Sequence, residues 1–219
     1  MQINIIKSSR KTIGIIVHSN GEVTVRVPHR ATKKQIDEVI TRRMSWIQKH
    51  KKRFAEIGAT RSKQMFVNGE KHYFLGKEYT LKIVPAAKNR VYNNEDFIIV
   101  ECADESIVES LMEQWYSKMA NNLMPEIIMP VVDSFKKKHH KTPAKISFKS
   151  MKTRWGSCSS RGNISMNVRL IKSCESCIEY VMAHELCHLV EMNHSKNYYA
   201  LLTDFMPDWR SRKSKLLSL

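Results

Sequence analysis

Glycine and proline are scarce in this chain, 7 and 6 of 219 residues, which excludes long low-complexity linkers and collagen-like repeats. Cysteine is sparse too. The five, Cys102, Cys158, Cys174, Cys177 and Cys187, are odd in number and too thinly spread for a disulfide framework. No run approaches the ~20 apolar residues of a membrane span. The first ten residues, MQINIIKSSR, hold no apolar stretch of signal-peptide length. No internal repeat is visible, no aromatic-basic interleaving of an RNA-binding signature appears, and no helix-turn-helix stands out. The expectation is a cytoplasmic protein with reduced thiols and no membrane association.

Acidic residues are few as well: 21 Asp and Glu against 37 Lys and Arg, a net charge of +16. An excess of that size attracts polyanions, but does not say what is done to them. It is uneven. Residues 30–63 hold 11 basic and 3 acidic residues, so half of the excess lies in this stretch. A second basic cluster runs from Lys136 to Lys141. Nucleic acid binding through these patches is one expectation, and a solvated basic surface is the other. With 42% hydrophobic residues, the chain is long enough to bury a core without staples.

The hydrophobic pattern changes period along the chain. Residues 12–17 are β-branched, Ser19-Asn20-Gly21 is a turn signal, and Val23, Val25 and Val27 alternate, which predicts a hairpin. From Thr32, Ile36, Val39, Ile40, Met44 and Ile47 recur at helical spacing on a basic helix. Short strands are expected at 66–70, 73–76, 79–84 and 97–100. A long helix is expected over 105–138, bent or broken at Pro125 and Pro130. Strands at 146–148 and 164–170 flank a loop at 156–162. Helices follow at about 175–192 and 195–217, the last interrupted near Pro207. The order of strands, helix, strands and helices predicts an α+β fold. The expected division is a β-rich region with a basic helix at 1–103 and a catalytic region at 104–219, the two forming one compact domain or two.

The segment that carries chemistry is His184-Glu185-Leu186-Cys187-His188, an H-E-x-x-H in a helical context. His184 and His188 lie one turn apart, so both imidazoles project from one side and can share a metal ion. Glu185 can reach a water on that metal. Ile178, Met182, Leu186, Leu189 and Val190 offer the helix a core side. His194 follows six residues after His188 and supplies a third nitrogen, leaving one position of a zinc tetrahedron open. Glu191 is the competing third ligand, and His194 is preferred. Metzincins share this spacing but need glycine where Glu191 stands.

The segments Lys152-Thr153-Arg154-Trp155-Gly156-Ser157-Cys158, Gly162-Asn163-Ile164-Ser165, His184 to Leu189, Asn193-His194-Ser195 and Met206-Pro207-Asp208-Trp209 resemble the YgjP-like metallopeptidase family, which is related to SprT-like proteins and other zincins. The likeness extends upstream through Ser9 to Ile13, Val23 to Pro28, Trp46-Ile47 and Leu75-Gly76, nearly the whole chain. It implies a zincin-like metallohydrolase core with C-terminal active-site helices, one catalytic Zn2+ on His184, His188 and His194, and Glu185 as general base.

A zinc hydrolase of this kind lowers the pKa of its water toward ~7, and Glu185 takes the proton. Arg154, Asn193, Tyr198 and Tyr199 are candidates for stabilising the oxyanion, with helix packing as the other reading of the two tyrosines. Arg154, Trp155 and Asn193 are candidate substrate contacts, and Gly156 allows close backbone approach. A four-cysteine zinc site from Cys174-x-x-Cys177, Cys158 and Cys187 is disfavoured against free thiols. The expected function is a zinc metallopeptidase acting on peptides or proteins. The alternatives are a metal-dependent nucleoside triphosphate pyrophosphatase and a basic nucleic-acid-binding module.

Overall fold

The computed structural model describes residues 3–18, 21–49, 51 and 64–217. They fall into two compact units, Met1–Gln64 and Met65–Leu219. Residues 65–103 therefore belong with the C-terminal unit, whereas composition had grouped them with the N-terminal strands. The reason is packing: their apolar side chains Phe74, Leu81, Ile98 and Val100 join one core with the long helix that follows.

In the N-terminal unit, β1 (Ile3–Ser8) pairs in parallel with β3 (Val23–Pro28), and β2 (Gly14–Val17) pairs antiparallel with it. The expected hairpin is β2–β3, although Ser19 and Asn20 of its turn lie outside the described residues. Strand β1 is not among the strands expected from the hydrophobic pattern. On β3 Val23, Val25 and Val27 are fully buried, because alternate residues of a strand share one face. Helix α1 (Lys33–Arg42) opens with a capping box: Thr32 caps the Gln35 amide, and the Gln35 side chain answers to the Thr32 amide. It packs Ile36 and Ile40 on the same cluster, and helical residues resume at 44–49 to add Ile47. The basic stretch at 52–63 lies outside the described residues.

The C-terminal unit begins with a sheet of order β4-β5-β7-β6, formed by β4 (Lys71–Phe74), β5 (Lys77–Pro85), β6 (Arg90–Asn93) and β7 (Phe97–Cys102). Strands β5 and β7 are parallel, and the outer pairs are antiparallel. Residues 66–70 form a turn rather than the expected strand. The Glu70 carboxylate accepts the amides of Met65 and Phe66, and Gly69 takes φ 85°. The β4–β5 connection is the two-residue turn Leu75-Gly76, with φ 48° and 80°. Both central residues lie in the left-handed region, as a type I′ hairpin turn requires.

Helix α2 (Val108–His139) follows a short 3-10 turn at Glu105–Ile107 and runs unbroken through Pro125 and Pro130. Each proline removes one backbone hydrogen bond. The buried seam of Val108, Met112, Tyr116, Ala120, Met124, Ile128, Val132 and Phe135 holds the helix on the core across both. The apolar spacing of Ile107, Leu111, Trp115, Met119 and Leu123 marks a neighbouring stripe, of which Trp115 is buried and the other four are only partly buried. Lys136, Lys137 and Lys138 lie in its last turn, where the helix dipole favours cations.

A second small sheet has order β8-β10-β9. Strand β10 (Asn163–Asn167) is parallel to β8 (Lys145–Lys149) and antiparallel to β9 (Gly156–Cys158). Residues 156–158, expected in a loop, thus form a strand. The chain leaves β10 in a 3-10 helix (Val168–Lys172) instead of continuing extended to Leu170. Helices α3 (Glu175–Cys187), α4 (Lys196–Phe205) and α5 (Trp209–Leu217) complete the unit. The molecule is α+β, as the element order predicts. No helix among the described residues is long and apolar enough to cross a membrane.

Candidate metal centre

Helix α3 is buried on almost every side: Ile178, Val181, Met182, Ala183, Leu186 and Cys187 are all 3% exposed or less. Burial thus extends well beyond the core side expected from Ile178, Met182, Leu186, Leu189 and Val190, and Val190 itself is exposed. The helix also stops at Cys187 rather than near Met192. His188 nevertheless keeps helical dihedrals (φ −69°, ψ −13°), so the one-turn offset from His184 survives and their ring centroids lie 5.1 Å apart. A tight turn reverses the chain, with the Glu191 amide bonded to the Cys187 carbonyl. His194 arrives one residue before Ser195, which caps α4 through the Tyr198 amide. Ligand atoms of His184, His188 and His194 all lie within 4.8 Å of one another.

Hydrogen bonds set the tautomers of the two helical histidines. The Tyr198 hydroxyl lies 3.0 Å from the His184 carbonyl, which can only accept, and 2.7 Å from His184 Nδ1. Burial holds that hydroxyl far above its ordinary pKa range, so it keeps its proton. With one proton donated to the carbonyl, Tyr198 must accept from His184 Nδ1–H. His184 Nε2 then carries a lone pair. His188 Nδ1 lies 3.0 Å from the Glu191 carbonyl and donates to it, leaving its Nε2 free in the same way. His184 Nε2 lies 3.1 Å from His194 Nε2. Two nitrogens on a tetrahedral ion with bonds of 2.0–2.1 Å are about 3.3 Å apart, so the spacing suits zinc.

Electrostatics agree. Burial, with smaller contributions from His188, His194 and Lys213, pushes His184 down to about 3. Burial, His188 and Lys213 also lower His194. Neutral imidazoles are the ligating form. The donor set of three imidazoles fits one borderline cation such as zinc. Glu191, the alternative third ligand, enters the site through its backbone carbonyl.

Glu185 is 4% exposed and lies directly against Gly156 of β9. A Cβ on Gly156 would fall 2.5 Å from Glu185 Oε1 and 2.8 Å from Cγ, so any larger residue would have to displace the Glu185 side chain. Burial raises the Glu185 carboxyl to about 7, against the opposing pull of Arg154. Beside it opens a cleft of about 220 Å³ whose wall includes Arg154, Trp155, His184, Glu185, Lys213 and Leu216. The cleft joins a carboxyl poised near neutrality, two cations and an apolar wall.

Of the sequence candidates, Arg154 and Trp155 line this cleft. Asn193 does not; it is exposed in the turn before His194. Tyr198 is fully buried with its hydroxyl committed to His184, so it positions that ring. Tyr199 stacks between His194, at 6.1 Å, and Trp209, at 5.7 Å. Trp209 also stacks on Tyr180 of α3 and donates to Thr203, which ties both flanking helices to the active helix.

Two contributors are not among the sequence candidates. Lys213 comes from α5, and nothing in its local pattern marks it. Asn167 is 3% exposed and donates to the carbonyls of Met151 and Arg154 at 2.8 and 2.9 Å, fixing the loop that presents Arg154 and Trp155. A polar residue ending a buried strand was the available signal. Cys102, Cys177 and Cys187 are buried free thiols, and Cys158 and Cys174 are partly exposed ones.

The family model of the YgjP-like metallopeptidase domain matches residues 11–218. No curated protein matches the chain.

Proposed function

Because the chain belongs to the YgjP-like metallopeptidase family, a family of metal-binding hydrolases, we propose that it is a zinc-dependent peptidase. In this reading His184, His188 and His194 hold one zinc ion and Glu185 is the general base. The observation that supports it most is the convergence of three imidazole nitrogens beside a buried carboxyl whose pKa is raised to about 7.

Zinc held there would supply Lewis acidity, polarising a substrate carbonyl and acidifying a water near neutral pH. Everything else falls to the chain. Glu185 accepts the proton from the attacking water and returns it to the leaving amine, a general-base and then general-acid role for one buried carboxyl. Gly156 lets the β9 backbone approach the carboxylate and holds it in place. Tyr198 and the Glu191 carbonyl orient the two helical imidazoles. Arg154 and Lys213 give the cleft its positive charge, which favours substrates with a carboxylate near the scissile bond. Trp155 and Leu216 offer apolar surface for a neighbouring side chain.

The test is turnover of unstructured proteins and mixed peptides by zinc-loaded protein, with chelation and zinc readdition. Nucleoside triphosphates run as a parallel panel. Peptide cleavage that chelation abolishes and zinc restores supports the proposal. Phosphate release from nucleotides without peptide cleavage overturns it.

A further inference from the structure

The head of α3 carries a second reactive pair, remote from the histidines. Cys174 is the N-cap, in extended backbone (φ −67°, ψ 154°), and Cys177 is the third residue of the helix. Their Sγ atoms lie 3.0 Å apart, and Cys174 Sγ lies 3.2 Å from the Ser176 hydroxyl. A disulfide needs about 2.05 Å, an approach of roughly 1 Å. The pair is asymmetric. Cys174 is partly exposed, whereas Cys177 is fully buried.

Their chemistry is asymmetric in the same sense. Burial opposes ionisation of Cys174, but Ser176, Cys177 and Lys215 outweigh it and hold the thiol below its ordinary range. Burial and the Cys174 neighbour push Cys177 up to about 12. A thiolate at a helix N-terminus is also stabilised by the free amides and the dipole. Gly76, from the β4–β5 turn, abuts this cap. A Cβ there would come 2.8 Å from Cys174 Cβ and 2.9 Å from Cα.

The other cysteines do not complete a four-thiol site. Cys187 lies 13 residues further along α3, about 20 Å away at 1.5 Å per residue. Cys158 lies on β9, near enough to Glu185 for that carboxylate to raise its pKa. Two thiols in contact, one partly exposed and one buried, form a dithiol.

We infer that Cys174 and Cys177 form a redox-active dithiol that closes reversibly to a disulfide, with a low-molecular-weight disulfide as its oxidant. The Cys174 thiolate attacks one sulfur of the oxidant RSSR. The S–S bond breaks, and one RS⁻ leaves and takes up a proton. Cys177 loses its proton and attacks Cys174 Sγ in the mixed disulfide, displacing the second RS⁻, which is protonated in turn. Two protein thiols are oxidised to one disulfide, and RSSR is reduced to two RSH. The outcome is a covalent clasp at the head of the helix that bears His184 and Glu185.

The experiment uses the full chain with zinc bound, equilibrated in reduced and oxidised glutathione at graded ratios. Remaining thiols are alkylated, and the protein is read by intact mass and peptide mapping. The expected result is loss of two hydrogen atoms, mapped to a Cys174–Cys177 bond and reversed by dithiothreitol. Cys177→Ser should accumulate one glutathionyl group on Cys174. Cys174→Ser should form no disulfide at this site. Thiols at 174 and 177 that stay fully alkylatable at the most oxidising ratio overturn the inference, as does pairing of either with another cysteine. The readout is mass, so it stands apart from whether the protein cleaves peptides.

Discussion

The Gly156 Cα faces the carboxylate of Glu185 so closely that a methyl group on it would lie 2.5 Å from Oε1. This contact couples the small sheet to the active helix and fixes where the proposed base stands. Gly156→Ala should therefore displace the carboxylate while leaving the three histidines in place. The expected outcome is a fall of ~10²-fold in kcat, the scale of a misplacement near 1 Å, with zinc stoichiometry unchanged by elemental analysis.

The tautomer of His184 depends on one hydroxyl. Tyr198→Phe keeps the ring that packs on all three imidazoles but removes the acceptor for His184 Nδ1–H. Loss of such an outer partner typically weakens a metal site 10–100-fold. Competition with a chromophoric chelator should show a drop in zinc affinity of that order, with the thermal midpoint of the metal-free protein changed far less than by a core truncation.

Glu185 also makes a pH-dependent contribution to stability. Its carboxyl rises from an ordinary 4.5 to about 7 on folding because burial disfavours the charge. The folded state thus holds the proton more tightly than the unfolded one. The resulting stabilisation is present below 4.5 and lost as pH rises through 7. In chelator, Glu185→Gln should melt above the wild type at pH 8, and the gap should close as pH falls toward 4.5. Melting curves across that range check the sign.

Lys213 and Arg154 place two cations on the cleft wall. Lys213→Ala should raise KM about fivefold or more for peptides with a carboxylate near the cleaved bond, and change it little for neutral peptides of the same length. A matched peptide pair measured by initial rates gives the comparison.

The sequence made some of this legible and hid the rest for physical reasons. His184 and His188 could be read because a helix turn puts i and i+4 side by side, and His194 because a short turn returns the chain. The closeness of Gly156 to the site was legible from a residue that permits backbone approach. Lys213 was not, since only tertiary packing of α5 brings it 25 residues beyond His188 to the same cleft. Pro125 and Pro130 suggested a break in α2, but core contacts on both sides outweigh two lost hydrogen bonds. At 66–70 the apolar pattern suggested a strand, yet Glu70 gathers the Met65 and Phe66 amides into a turn. The 65–103 segment looked separable because its composition is β-rich. Its core side chains are shared with α2, a fact that only the fold reveals.

The most direct test is peptide turnover by zinc-loaded wild type and Glu185→Gln, each with metal content measured on the same sample. The account predicts about one zinc per chain in both, with kcat in the variant reduced by at least ~10³-fold. Equal cleavage by the two proteins at equal zinc content would contradict it.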